Sequence, residues 1–226
     1  MSARLDPAAL ALHLVTDTAL SAPRSVPDVV AAAVAGGATM VQVREKHAPA
    51  RDLVALLVAV AERVGRDVPV LVDDSADAYL AARAAGAPVA GVHVGQSDLP
   101  VELARRICGP DTVLGLSAAT APELDAAAAL PPGTVDYLGV GAVRATRTKP
   151  DHPEPLGVEG FARAAARTVL PCLAIGGVRV EDAAALRAAG AAGLAVVSGI
   201  CADPDPAAAA ARYVRAFGRV PEEVAR

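Results

Sequence analysis

The sequence predicts an α/β chain of the (β/α)8 TIM-barrel class, and three observations lead there. Eight short runs rich in Val, Leu and Ile alternate with eight alanine-rich stretches. The short runs are apolar almost throughout, as parallel strands buried on both faces are. The chain has 226 residues, within the roughly 200–250 that an undecorated eight-stranded barrel needs. Pro131-Pro132 and the stretch 149–157 read as internal loops rather than linkers. One domain over residues 1–226, with its active site at the C-terminal ends of the strands, is therefore expected.

In chain order the expected strands are 12–15, 39–43, 68–72, 89–94, 112–116, 135–139, 171–175 and 194–197. The expected helices are 26–35, 50–64, 76–85, 100–107, 122–130, 159–168, 180–189 and 206–217. Alanine has the best helix propensity, and its small side chain lets a helix sit close to a sheet. Gly36, Gly65, Gly86 and Gly190 follow helices, where a C-cap belongs. A doubly wound open sheet is the rival. It would place a glycine-rich nucleotide loop after the first strand, but Thr16-Asp17-Thr18-Ala19-Leu20 holds no glycine. Gly139-Val140-Gly141 comes late and lacks the third glycine of a dinucleotide fingerprint.

Composition excludes several function classes. Lys plus Arg total 21 against 25 for Asp plus Glu, so no global basic field draws in nucleic acid or an anionic membrane. Aromatic residues are 2% of the chain, too few for a base-stacking surface. Cys108, Cys172 and Cys201 form no C-x-x-C pair and read as small buried hydrophobes. The first residues lack the apolar run of a signal peptide, and no apolar stretch reaches membrane-spanning length. A cytoplasmic protein follows as an expectation. The sequence does not set the oligomeric state; a homodimer is the commonest closed assembly for a compact enzyme.

A barrel concentrates chemistry where its strands end, so each strand end was read for residues a packed core would reject. Thr16 and Asp17 after the first strand suit a turn or helix cap. Gln42, Arg44 and Lys46 alternate along the second strand and share one face, inward at the barrel mouth. Three donors on one face make an anion site. Asp73-Asp74 and Asp98 end the third and fourth strands, where carboxylates could collect a hard cation such as Mg2+ or simply start helices. His13 and His93 lie within strands and read as hydrogen-bonded core residues rather than zinc ligands. Ser117 can donate to an oxyanion. The sixth strand leads into a connection of roughly twenty residues, against about 2–6 for most such loops, carrying Thr146, Arg147, Thr148 and Lys149. Gly176-Gly177 and Val197-Ser198-Gly199 follow the last two strands, where many barrels cradle a phosphate. Two anion regions with carboxylates between them suit a phosphorylated acceptor and a diphosphate leaving group.

These stretches resemble the thiamine-phosphate synthase family. The family's Q-x-R-x-K is matched by Gln42-Val43-Arg44-Glu45-Lys46, its H-x-G-Q-x-D by His93 to Asp98, and its G-x-S by Gly115-Leu116-Ser117. Its threonine-rich loop is matched across 139–149 with one extra residue between Gly141 and Thr146, its I-G-G by Ile175-Gly176-Gly177, and its V-S by Val197-Ser198. The matches run in order from the first strand to the last. The resemblance implies that Asp74 and Asp98 hold Mg2+. It implies that Gln42, Arg44, Lys46, Asp73, Ser117 and Lys149 surround a hydroxymethylpyrimidine diphosphate. Thr146, Thr148, Gly177, Val197 and Ser198 would hold a thiazole phosphate or its carboxylated form. Arg44, Lys46, Ser117 and Lys149 would be the catalytic set, stabilising the departing diphosphate. The chain departs from the family at Asp73, where the family carries Asn, a donor that an ionised carboxylate is not. Two other readings stay open: a thiazole tautomerase, which would not need the full diphosphate set, and a non-catalytic phosphate-metabolite binder, which would need no metal.

Overall fold

The structure, a computed structural model, describes residues 5–146 and 154–218. Eight parallel strands close into a barrel in sequence order: β1 Leu12–Val15, β2 Met40–Val43, β3 Val70–Asp73, β4 Gly91–Val94, β5 Val113–Ser117, β6 Tyr137–Val140, β7 Cys172–Ile175 and β8 Gly193–Val196. β8 pairs back onto β1, with His13 opposite Ala195. The outer helices are α1 Val26–Ala35, α2 Ala50–Val64, α3 Ala76–Ala84, α4 Val101–Cys108, α5 Ala121–Ala128, α6 Gly157–Ala165, α7 Ala183–Ala188 and α8 Pro206–Phe217.

The two faces of each strand serve different cores. Val41, Val43, Val70, Val72, Leu114 and Leu138 point outward and pack with Val29, Leu57, Tyr79 and Phe161 of the helices. Met40, Leu71, Val113, Tyr137 and Leu173 point inward and form a separate plug with Leu10 at the N-terminal end of the barrel. Because side chains alternate with a period of two, each polar residue above the plug sits two positions further on. Gln42 follows Met40, and Asp73 follows Leu71.

The ring of helices closes where α8 packs beside α1. Gly36 makes this possible, since a Cβ there would lie 2.1 Å from the Ala207 carbonyl oxygen. Several helix starts are capped by the chemistry the sequence offers. Ser25 accepts from the Asp28 amide at 3.3 Å, and Thr120 with Glu123 forms a reciprocal capping box on α5.

Strand and helix positions agree with the expected ones to within a few residues, and the differences have local causes. β3 begins at Val70 because Pro69 has no amide to donate to the ladder. The expected helix 180–189 is a 3-10 turn, Val180–Asp182, followed by α7. Three elements of a single turn were not anticipated: Pro7–Leu10, Thr18–Ser21 and Ser198–Cys201. One turn carries too few residues to show a helical period.

His13 is an inward-facing polar residue set in an apolar interior. It is 1% exposed, packs edge-on to Tyr137 at 6.0 Å, and neither ring nitrogen has a hydrogen-bond partner among the described residues. Burial, and secondarily the neighbouring His93, push its pKa down to about 3. Folded protein therefore keeps His13 neutral while the unfolded chain takes up a proton below about pH 6.5. The stabilisation is present above that pH and is lost as the pH falls towards 3. Between pH 7 and pH 5 the wild type should lose about 2 kcal/mol more stability than His13→Leu. Urea unfolding of both proteins at the two pH values measures the difference.

Candidate active site

A cavity of about 480 Å³ opens at the C-terminal end of the barrel, a volume suited to a small metabolite. β2 sends Gln42, Arg44 and Lys46 into its wall, β3 Asp73 and Asp74, and β4 His93 and Asp98. Ser117 comes from β5 and Thr146 from the β6–α6 connection, while Gly177, Val197 and Ser198 follow β7 and β8. Every expected site residue among the described ones thus lines one opening. Lys149 and Thr148 lie outside the described residues, as does Arg147. Asp17 is the expected cap, accepting from the Leu20 amide at 3.0 Å at the start of the turn Thr18–Ser21, whereas Thr16 caps nothing and instead accepts from the Arg44 amide at 3.0 Å, bracing the end of β2.

Charge is arranged tightly on the β2–β4 side. Asp73 accepts a hydrogen bond from the Gln42 side-chain amide, and its other oxygen lies 3.3 Å from Arg44 Nε. Both side chains of this ion pair are mostly buried, at 15% and 11% exposure. Burial raises the Asp73 pKa, against the opposing pull of Arg44 and Lys46. Asp74 is also raised, first by desolvation and then by Asp73 and by the Asp98 carboxyl within hydrogen-bonding reach. Its backbone adopts φ 62°, the left-handed region, and no other described non-glycine residue has a positive φ. That conformation, which Asp tolerates better than most residues, sets Asp74 at the mouth. Asp98 is held by the Gly95 amide at 2.7 Å. The carboxylates at this rim repel one another, and that repulsion favours a bound cation.

The opposite side is built from backbone. Gly176 and Gly177 have φ 86° and 65°, and a Cβ on Gly177 would lie 2.9 Å from both Arg144 Cβ and the Ala145 carbonyl oxygen. Arg144 at the root of the β6–α6 connection makes a paired contact with Asp182, at 2.8 and 2.6 Å, which ties that root to the β7–α7 loop. Tyr213 of α8 donates to the Val178 carbonyl at 3.0 Å and steadies the same loop.

Glu123, Gln96 and His93 also line the cavity, although none is among the expected site residues. Glu123 accepts from the Ala119 and Thr120 amides at 2.7 and 2.9 Å, and its signal was the Thr120-x-x-Glu123 spacing. Gln96 donates to the Ser117 carbonyl at 2.6 Å. A lone strand histidine such as His93 is expected to be a hydrogen-bonded core residue. It is hydrogen-bonded, to Tyr137 and to Ser117, yet it also faces the cavity.

The family model for thiamine monophosphate synthase matches residues 12–200. The chain belongs to this family. A thiamine-phosphate synthase of Corynebacterium efficiens is 48% identical over 193 residues, covering 85% of this chain and 89% of that one. One from Chloroflexus aurantiacus is 44% identical and covers 95% of both chains. Among solved structures, a thiamine phosphate pyrophosphorylase from Pyrococcus furiosus superposes with a TM-score of 0.81 at 28% identity, over 93% of this chain and 96% of that one. A 3-hexulose-6-phosphate synthase, 18% identical with a TM-score of 0.67, shares the barrel. No helix among the described residues is long and apolar enough to cross a membrane.

Breaking a mostly buried ion pair leaves one charge stranded, whereas removing both charges does not. Arg44→Ala should therefore lower the unfolding free energy by about 1–3 kcal/mol. Adding Asp73→Asn should restore most of that loss, read by denaturant unfolding of the two variants and the wild type.

Proposed function

We infer that the protein is a thiamine-phosphate synthase. It joins 4-amino-2-methyl-5-hydroxymethylpyrimidine diphosphate to 4-methyl-5-(2-hydroxyethyl)thiazole phosphate, or its carboxylated form, giving thiamine phosphate and diphosphate. The observation that carries this reading is the meeting of Arg44, Asp74, Asp98, Ser117, Gly177 and Ser198 around one cavity. Two anion-binding regions face each other across it, as a reaction between two phosphorylated partners requires.

The β2 side suits the pyrimidine diphosphate. Arg44 and Lys46 bring positive charge, Gln42 an amide and Ser117 a hydroxyl, all towards the space where leaving-group charge develops. Lys149 adds a further cation by family resemblance. The glycine-rich β7 and β8 side suits the thiazole phosphate, with the Gly177 amide, the Val197–Ser198 turn and the Thr146 hydroxyl as donors; Thr148, outside the described residues, joins them by family resemblance alone. The donor set also fits Mg2+. Asp74 and Asp98 offer hard oxygen ligands, and Mg2+ typically takes only one or two protein carboxylates. No group of three or more metal-binding side chains occurs among the described residues, so substrate oxygens and water would complete the shell. Held there by Asp74 and Asp98, the ion would neutralise charge on the diphosphate oxygens.

The substitution is dissociative in this account. The carbon–oxygen bond to diphosphate breaks with its electron pair leaving on oxygen, and the pyrimidine methylene becomes a stabilised cation. The thiazole nitrogen lone pair then forms the new carbon–nitrogen bond. The protein holds the two partners in line and keeps water from trapping the cation. Asp73 enters as the partner of Gln42 and Arg44: it orders their side chains and offsets part of the positive charge. We place the reaction in the cytoplasm, in keeping with three free, buried cysteines. The oligomeric state, a homodimer by the general prevalence of such assemblies, is read out by light scattering.

Purified protein with Mg2+ and both phosphorylated halves should release thiamine phosphate and diphosphate in equal amounts. Binding without turnover would favour the non-catalytic reading instead. Arg44→Ala and Lys149→Ala should each lower turnover about 100-fold or more, well beyond any loss of folded protein. Asp73→Asn should change turnover little, and Asp74→Asn should raise the Mg2+ concentration needed for half-maximal rate.

A further inference from the structure

Three side chains form a hydrogen-bonded line through the barrel interior. Tyr137 on β6 is fully buried, and its hydroxyl lies 3.0 Å from His93 Nδ1 on β4. His93 Nε2 lies 3.0 Å from the Ser117 hydroxyl on β5, at the cavity wall. Space for the two rings is made by inward-facing glycines. A Cβ on Gly115 would sit 2.3 Å from Tyr137 Cζ and 2.4 Å from His93 Nδ1, and one on Gly139 would sit 3.2 Å from His93 Cε1. A side chain at Gly115 would exclude the line, and one at Gly139 would press on the His93 ring.

The direction of the line follows from its buried end. His93 Nδ1 is the hydrogen-bond partner of the Tyr137 hydroxyl, and burial keeps that phenol protonated by raising its pKa well above the usual value. Its proton has to go to Nδ1, or a buried donor is left unsatisfied. Nδ1 is then an acceptor, so a neutral imidazole carries its proton on Nε2. Nε2–H in turn donates to Ser117 Oγ. With that lone pair engaged, the Ser117 proton is free to point into the cavity.

We propose that His93, held in its Nε2–H tautomer by Tyr137, is a positioning residue that turns the Ser117 hydroxyl proton towards the departing diphosphate. This rests on the reading of Ser117 as a diphosphate contact. The opposite tautomer would make Nε2 an acceptor and draw the same proton back into the barrel, where it could stabilise nothing that leaves.

The test compares steady-state kinetics, with Mg2+ and both substrates, of wild type, Ser117→Ala, His93→Leu, His93→Gln, Tyr137→Phe and the Ser117→Ala/His93→Leu double variant. Ser117→Ala should lower kcat about 100-fold, as loss of one transition-state donor does. His93→Leu should lower kcat by about tenfold or more with KM little changed, and should cost less than about twofold further once Ser117 is already Ala. His93→Gln, whose terminal amide can donate to Ser117, should recover part of the loss. Tyr137→Phe should show a smaller fall of the same kind. 15N spectra of the labelled wild-type protein should show His93 protonated at Nε2, a readout that needs no variant to fold. Additive losses in the double variant, or a His93 protonated at Nδ1, would overturn the positioning role and leave the reaction assignment standing. Ser117→Ala at the wild-type rate would instead overturn the reading of Ser117 itself, and the inference with it.

Discussion

Inside a closed barrel a strand has only two directions in which to send a side chain, and the apolar plug at the bottom decides which residues go inward. Met40, Leu71, Val113, Tyr137 and Leu173 pack on Leu10 and fill the N-terminal end. Once they are inside, the period of two places Gln42, Asp73 and Ser117 inside as well, higher up and facing the mouth. Slipping a strand by one residue would bury its polar end among the helices and turn its valines to the interior. The burial energy of the outer core therefore also fixes the chemistry of the opening. The site is precise because it stands on strand ends whose register the whole barrel enforces.

Electrostatics then divides the mouth. On one side, Arg44 and Lys46 face Asp73, Asp74 and Asp98. The Arg44–Asp73 pair and the Gln42 bond tie the β2 and β3 members of this dense group together. On the other side the loops after β7 and β8 offer backbone donors, and glycine is what lets the β6–α6 root approach Gly177 so closely. One half works through charged side chains, the other through main-chain geometry. The two anions of the proposed reaction would meet these two different kinds of wall.

Much of this was legible in the sequence because both cores write a simple pattern. Val41, Val43, Val70 and Val72 mark strands by their branched side chains, and Gln42-Val43-Arg44-Glu45-Lys46 announces polar residues at a period of two where a core would want none. The single-turn helix Ser198–Cys201 could not be seen, because four residues show no period. The pairing of Asp73 with Arg44 was equally hidden, since it joins strands whose register only the closed barrel determines. His93 shows the limit most clearly. In the sequence a lone strand histidine reads as core, and its link to the cavity depends on Tyr137 and Ser117, contributed by two other strands. Gly115 and Gly139 gave no hint either, because the space a missing Cβ leaves is visible only with its neighbours in place.

The central claim is that the ends of separate strands act together on two phosphorylated groups within one cavity. A crystal structure of the protein with thiamine phosphate, Mg2+ and diphosphate tests it most directly. The account predicts diphosphate against Arg44 and Ser117, the metal ion on Asp74 and Asp98, and the thiazole phosphate at Gly177 and Ser198. Either anion bound outside this cavity, or the two exchanged between its sides, would contradict it.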